Sequence, residues 1–265
     1  MFPKKIRALI LDMDGVIWKD DSPIGDLSGI FQRIANLNIK VAFATNNSSN
    51  SISKYIERLI NFGIVQSEFH NIITSSIVMA NELSKSFPEK GNIFVIGEIG
   101  LKETISKQGF MVMDDKLSND IQAVVVGIDR KIDYKKLKTA TLLIRRGIPF
   151  YGTNPDKTFP TPEGLVPGAG SLLAAIKAAT DVDPIVLGKP HPNMIRMARE
   201  FLGVEPRETL VVGDRVETDI ASGQADGCRT ALVLSGVSTL DDSKKWSPPP
   251  DYIANTLSDL LYYND

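Results

Sequence analysis

Ala8-Leu9-Ile10-Leu11-Asp12-Met13-Asp14-Gly15-Val16 is the stretch on which the fold turns. Four apolar residues run without polar alternation and then stop at two carboxylates. An uninterrupted apolar run reads as a strand covered on both faces, the mark of a mostly parallel sheet. The same pattern recurs in Val41-Ala42-Phe43-Ala44, which ends at Thr45, and in Ile93-Phe94-Val95-Ile96 and Ala123-Val124-Val125-Val126. It returns in Ile185-Val186-Leu187, Leu210-Val211-Val212 and Ala231-Leu232-Val233-Leu234. Helical patterns lie between them. Ile52, Tyr55, Ile56, Leu59 and Ile60 recur at helical spacing, with Gly63 as a stop. Residues 192–202 start with a proline suited to a first turn, carry a stripe of Ile195, Ala198, Phe201 and Leu202, and end at Gly203. Both stripes read as core packing. The βαβα alternation predicts an α/β fold.

Composition narrows the function classes. In 265 residues, 30 basic and 32 acidic side chains leave a net charge of -2, which argues against binding nucleic acid or a membrane surface through bulk charge. A single cysteine, Cys228, excludes an internal disulfide and a thiolate-rich zinc site, and reads as a small buried residue. His70 and His191 are the only histidines, which excludes multi-histidine metal sites, and both read as loop or capping residues. No apolar run reaches the roughly 18 residues needed to cross a bilayer. The N-terminal apolar stretch is too short for a signal-peptide core. These readings make a cytoplasmic protein the expectation.

Four strand ends carry the polar residues that chemistry would use. In open α/β sheets, ligands bind beyond the carboxyl ends of the strands. Asp12 and Asp14 stand two residues apart at such an end; at about 4 Å, two like charges repel by roughly 4 kcal/mol, so a cation, a lysine or protonation must compensate. An Asp-Gly turn is the alternative reading. Thr45-Asn46-Asn47-Ser48-Ser49 presents donors ahead of a helix and favours an anion such as phosphate, or else simply caps that helix. Gly188-Lys189-Pro190-His191-Pro192 places a lysine between backbone-fixing prolines, where it could neutralise carboxylates or phosphate, or lie solvated on the surface. Gly213-Asp214-Arg215-Val216-Glu217-Thr218-Asp219 puts one acid at a strand end and another in the first helical turn, where a helix dipole alone would also favour it. Taken together, three or more carboxylates, one lysine and one hydroxyl suit a hard divalent cation such as Mg2+ with a phosphate.

With these four motifs in this order, the chain resembles the haloacid dehalogenase superfamily of phosphatases. It is similar in particular to the large-cap subfamily IIA, the 4-nitrophenyl phosphatase-like and phosphoglycolate phosphatase-like group. Gly127-Ile128-Asp129, Thr153-Asn154-Pro155-Asp156 and Pro167-Gly168-Ala169-Gly170-Ser171 extend the likeness through the middle of the chain. The resemblance implies a Rossmann-like, doubly wound parallel-sheet core, residues 1–74 and 188–265, with an inserted α/β cap, residues 75–187. It implies hydrolysis of a small phosphorylated metabolite through an aspartyl-phosphate, with Asp12 as nucleophile and Asp14 as general acid and base. Mg2+ would be held by Asp12, the Asp14 backbone carbonyl and Asp214, with Asp219 as ligand or orienting group. Thr45, the Asn46 amide and Lys189 would hold the phosphoryl oxygens. Asn154 and Asp156 are candidate cap contacts to substrate, although Asn-Pro-Asp also signals a turn. A homodimer through the cap is consistent with the family.

Other classes fit less well. A phosphoryl-accepting receiver also groups acids, a threonine and a lysine, but it lacks a large insert; here 144 positions separate Thr45 from Lys189. A phosphometabolite-binding protein without chemistry would not need every one of these carboxylates. Gly168-Ala169-Gly170 lacks the third glycine and a clear preceding strand of a dinucleotide-binding loop. Dehalogenation would not need the acids of a magnesium site.

Overall fold

Ala8–Leu11 is buried at all four positions, which requires cover on both faces. A computed structural model describes residues 5–64, 71–114, 117–161 and 163–262. His70 lies outside the described residues. The chain divides into two compact units, residues 1–45, 53–73 and 189–265 in the first and 46–52 and 74–188 in the second.

In the first unit, Ala8–Leu11 sits inside a six-stranded sheet. The order is Tyr252–Ala254, Arg229–Val233, Thr209–Gly213, Ala8–Leu11, Lys40–Thr45, Ile72–Thr74. From Ala8–Leu11 the chain builds outward on one side and later returns to build on the other. That reversal beside Ala8–Leu11 is the topological switch point, where an open α/β sheet leaves a crevice. Both neighbours of Ala8–Leu11 are parallel to it, with Leu11 level with Val212 on one side and Phe43 on the other. This register alone brings Asp12, Asp214 and Thr45 to one edge. Helix Asn193–Leu202 covers Ala8–Leu11 and Lys40–Thr45 with Met194, Ile195, Ala198 and Leu202.

Two apolar side chains placed in the stripes by spacing lie elsewhere. Phe201 is 66 % exposed and Leu202 closes its stripe instead, while Ile60 is 44 % exposed. In helix Ile52–Asn61 the buried residues are Tyr55 and Leu59. Both corrections fall at the last turn, where one residue of rotation separates a core position from a solvent position. Cys228 is buried, and burial pushes its thiol up to about 12, so it is neutral at ordinary pH.

The second unit has its own parallel sheet, in the order Ile185–Val186, Phe150–Gly152, Ile121–Val126, Asn92–Ile96, Met111–Met113. Phe94, Ile96, Val124, Val126 and Phe150 pack on one face against Leu143 and Ile144 of helix Tyr134–Arg145 and Leu173 and Ile176 of helix Ala169–Thr180. A strand, Gly164–Pro167, does precede Gly168-Ala169-Gly170, contrary to the sequence expectation. It belongs to an antiparallel pair with Thr158–Thr161 rather than to the parallel sheet, so no dinucleotide-binding βαβ unit results. Among the described residues, no helix is long and apolar enough to cross a membrane.

This second sheet is also doubly wound, with its reversal between Asn92–Ile96 and Ile121–Val126. Residues 48–50 lie beside Gly127, which follows Ile121–Val126, and beside Gly100 at the start of helix Ile99–Lys107. The Gly100 N–H, in helix Ile99–Lys107, donates to the Ser49 carbonyl at 3.2 Å. A side chain at Gly127 would meet the Ser48 hydroxyl at 2.9 Å, and one at Gly100 would strike the backbone of Asn50 and Ser48. These contacts are why 46–52 joins the second unit, ahead of the start at 75 expected from sequence.

Gly100→Ala therefore sets two effects against each other. Helix propensity favours alanine by about 1 kcal/mol. Overpacking against the 48–50 backbone costs about 1–3 kcal/mol. Chemical denaturation is expected to give a net loss of stability, and a gain would mean that residues 48–50 do not lie against this helix.

Candidate active site

Asp12 follows Leu11 directly, and its N–H donates to the Val212 carbonyl at 2.9 Å, which continues the strand pairing one residue beyond Ala8–Leu11. Thr45 ends the neighbouring strand and is buried. Asp214 follows Thr209–Gly213 on the other side. Three strand ends thus converge.

Lys189 enters this crevice and is 2 % exposed. Its Nζ donates to Asp12 Oδ1 at 2.6 Å, to Asp219 Oδ1 at 2.6 Å and to the Ala44 carbonyl at 2.8 Å. An ammonium has three protons, and each meets an acceptor. Burial by itself would lower the Lys189 pKa, but the Asp12 and Asp219 carboxylates override it and hold the amine above the ordinary lysine value. The solvated-surface reading of this lysine is thereby excluded.

Asp219 lies in a π-helical turn, Val216–Ile220, and its Oδ2 accepts the Arg215 N–H at 3.1 Å. It caps its own turn with one oxygen and engages Lys189 with the other, so the dipole role and the site role coexist. Asp214 is gripped by the loop at 235–238: the Val237 N–H donates to its Oδ2 at 2.7 Å and the Ser238 N–H to its carbonyl at 2.9 Å. Gly15 packs on the same carboxylate. Its φ is +83°, and a Cβ there would sit 2.6 Å from Asp214 Oδ2, so glycine is required on two counts.

Asp12, Asp214 and Asp219 each offer an oxygen within 4.8 Å of the others. At that distance and an effective dielectric near 20, each like-charged pair repels by roughly 3 kcal/mol. The electrostatics record the strain. Burial, and then Asp219, raise Asp214 from 3.8 to about 7. Asp12 is also pushed well up by burial; Lys189 opposes the rise, and Asp219, Asp214 and Asp14 reinforce it. A site with oxygen donors, no sulfur or imidazole in the cluster, and more negative charge than one lysine can cancel fits a hard divalent cation.

Asp14 stands slightly apart. Its carboxylate is not in that three-acid group, and its Oδ1 accepts the Trp18 indole N–H at 2.8 Å. Burial raises its pKa, opposed first by the Trp18 hydrogen bond and then by the Arg58 charge. Sequence spacing gave no signal for Trp18 in the site, because nothing marks a tryptophan four residues on as more than a core residue.

Asn46, Asn154 and Asp156 come together within the second unit. Asn154 Nδ2 donates to the Asn46 carbonyl at 2.9 Å, and Asn46 Nδ2 donates to Asp156 Oδ2 at 3.2 Å. The Ser75 hydroxyl also donates to the Asn46 carbonyl at 2.7 Å. The Asp156 N–H donates to Asn154 Oδ1 at 3.1 Å, which is the Asx turn that Asn-Pro-Asp signals. His191 is exposed.

Comparison with known proteins follows the same outline. Residues 9–111 match the family model for haloacid dehalogenase-like hydrolases, and residues 186–260 match a second, HAD-hydrolase-like model. An acid sugar phosphatase of Staphylococcus saprophyticus is 31 % identical over 258 residues, 97 % of this chain and 98 % of that protein. The crystal structure of a 4-nitrophenylphosphatase from Thermotoga maritima superposes with a TM-score of 0.90 at 33 % identity, covering 98 % of each chain. A glycerol phosphate phosphatase from Mycobacterium tuberculosis, solved in complex with magnesium, gives a TM-score of 0.88 at 30 % identity over 97 % of this chain and 78 % of that one.

The raised pKa of Asp214, caused first by burial and then by Asp219, is testable. An acid whose folded pKa is raised contributes a stability that is fully present below its unfolded value and is lost as the pH climbs through the folded value. Without divalent metal, Asp214→Asn is expected to be more stable than the parent above pH 7 and to lose that advantage below 3.8. The gap should be a few kcal/mol at most, at about 1.4 kcal/mol per pKa unit. Magnesium should raise the parent's melting temperature above pH 7 and leave the variant's largely unmoved. Parallel pH profiles for the two proteins would refute the raised pKa.

Proposed function

The chain belongs to the haloacid dehalogenase-like hydrolases, and on that footing we propose that it is a magnesium-dependent phosphatase that works through a phosphoryl group carried on Asp12. It is a phosphatase of the subfamily IIA type, acting on small phosphorylated substrates. The reading is carried by one observation: Asp12 lies at the sheet's switch point with Lys189 bonded to it and to Asp219, and with Asp214 beside it.

A carboxylate cannot approach a phosphate dianion unless charge is cancelled. Lys189 cancels part of it and pins one oxygen of Asp12. Asp12, Asp214 and the Asp14 backbone carbonyl would hold the cation, with Asp219 orienting the set. When bound, the ion supplies charge neutralisation at the phosphoryl oxygens. Thr45 and the Asn46 N–H hold the phosphoryl group at the end of Lys40–Thr45. Asn154, Asp156 and Ser75 fix Asn46 by its carbonyl and side chain, which supports a substrate role for Asn154 and Asp156 exerted through Asn46.

The reaction then runs in two displacements. An Asp12 oxygen bonds to phosphorus as the ester P–O bond breaks, and Asp14 gives its proton to the departing oxygen. Water then bonds to phosphorus, the Asp12–phosphorus link breaks, and Asp14 takes the water's proton. The sum is ester plus water to alcohol plus inorganic phosphate, with both acids restored. The second unit, residues 46–52 and 74–188, acts as the cap that selects the leaving group.

Asp12→Asn should leave no turnover of 4-nitrophenyl phosphate above background. Asp14→Asn should lower kcat by about 10²–10⁴-fold and accumulate one phosphoryl group on Asp12, read by intact-protein mass. Chelation should silence the enzyme and added magnesium restore it. Undiminished turnover by Asp12→Asn would exclude the covalent route.

A further inference from the structure

We propose that Trp18 is a positioning residue for Asp14: its indole N–H decides which carboxyl oxygen carries the proton delivered to the leaving group. This inference rests on the reading of Asp14 as the general acid and base.

The local chain is built to return Trp18 to Asp14. The Ile17 and Trp18 N–H groups both donate to the Met13 carbonyl, at 2.9 and 3.2 Å, and the Gly15 N–H donates to the Trp18 carbonyl at 2.7 Å. Asp14 and Trp18 thereby form a β-bridge, and the indole Nε1 reaches Asp14 Oδ1 at 2.8 Å. Trp18 has no exposed surface. Its ring stacks on Tyr55 with centroids 6.5 Å apart and planes 10° from parallel, and it meets Phe62 at 6.0 Å. The Arg58 guanidinium lies 4.3 Å from the indole centroid and 5.5 Å from that of Phe62. The ring is therefore held by two side chains of helix Ile52–Asn61 and by Phe62 just after it, and its N–H direction is fixed.

An indole nitrogen only donates. Asp14 Oδ1 faces a donor in every protonation state, so a proton on this carboxyl resides on Oδ2. A carboxylic acid free to rotate would carry its proton on either oxygen, and half of those arrangements would be useless for transfer. A tryptophan that only filled the core would also need an acceptor for its N–H; here the acceptor is a side-chain carboxylate of the site, and the leaving-group test separates the two roles. Arg58 joins the device by clamping the ring.

The test compares leaving groups. kcat/KM reports the chemistry up to phosphoryl transfer onto Asp12, and 4-nitrophenolate departs without a proton whereas an alkoxide does not. Trp18→Phe keeps the stacking surface and deletes the donor. With magnesium present, it is expected to lose about ten-fold more in kcat/KM for glycerol phosphate than for 4-nitrophenyl phosphate, part of the 10²–10⁴-fold that general acid catalysis supplies. Equal losses for both substrates, or none, would overturn the proposal, because a merely structural role would depress both alike. Asp14→Asn run alongside separates the two ideas. If it shows no leaving-group contrast, the acid–base reading fails; if it does and Trp18→Phe does not, only the positioning role fails. Should Trp18→Phe not fold, Arg58→Met decides in its place, with the same contrast expected at smaller size and an equal or absent loss overturning the proposal.

Discussion

The Lys189 ammonium, buried and bonded to Asp12, Asp219 and the Ala44 carbonyl, is the interaction on which the rest of the first unit's crevice depends. Removing one partner of a buried ion pair costs about 3–5 kcal/mol, because the other charge is stranded. Here one lysine answers several acids, so the site is undercompensated as built. Fold stability and chemistry pull in opposite directions at this point. Burial first and the nearby Asp219 second raise Asp214 to about 7, and the same packing of acids makes the cluster receptive to a doubly charged cation. A sheet edge filled with apolar residues would be steadier and would do nothing.

Backbone geometry, more than side-chain chemistry, brings the acids together. Parallel register places Leu11 level with Val212 and with Phe43, so whatever follows each strand must share one edge. The turns then refine the placement. The loop at 235–238 donates to both ends of Asp214, and the π-helical turn after it swings Asp219 back toward Lys189.

Much of this was legible beforehand. Unbroken apolar runs reveal buried parallel strands because no polar alternation is tolerated on a sheet covered twice. Strand ends then localise the polar residues, which is why Asp12, Thr45, Lys189 and Asp214 could be singled out without coordinates. What escaped was of four kinds. Helix-end residues such as Ile60 and Phe201 fit the period yet face solvent, since periodicity fixes a stripe better than its last member. The 235–238 loop acts through backbone N–H groups, which every residue has and no sequence advertises. The pairing of Trp18 with Asp14 depends on a tight turn whose geometry the residue types alone do not dictate. The assignment of residues 46–52 to the second unit was hidden for a related reason: its contacts are main chain against glycine, visible only once Gly100 and Gly127 are seen to leave room.

That last arrangement has a consequence for how the second unit behaves. Its sheet offers the kind of crevice in which such architectures elsewhere seat a small molecule. Here the guest is the protein's own peptide, covalently attached. A tethered guest competes at an effective concentration on the order of millimolar for a short tether, which dilution of the protein leaves unchanged. Residues 48–50 therefore stay beside Gly100 and Gly127 at any dilution of the protein, and neither glycine leaves room for a side chain.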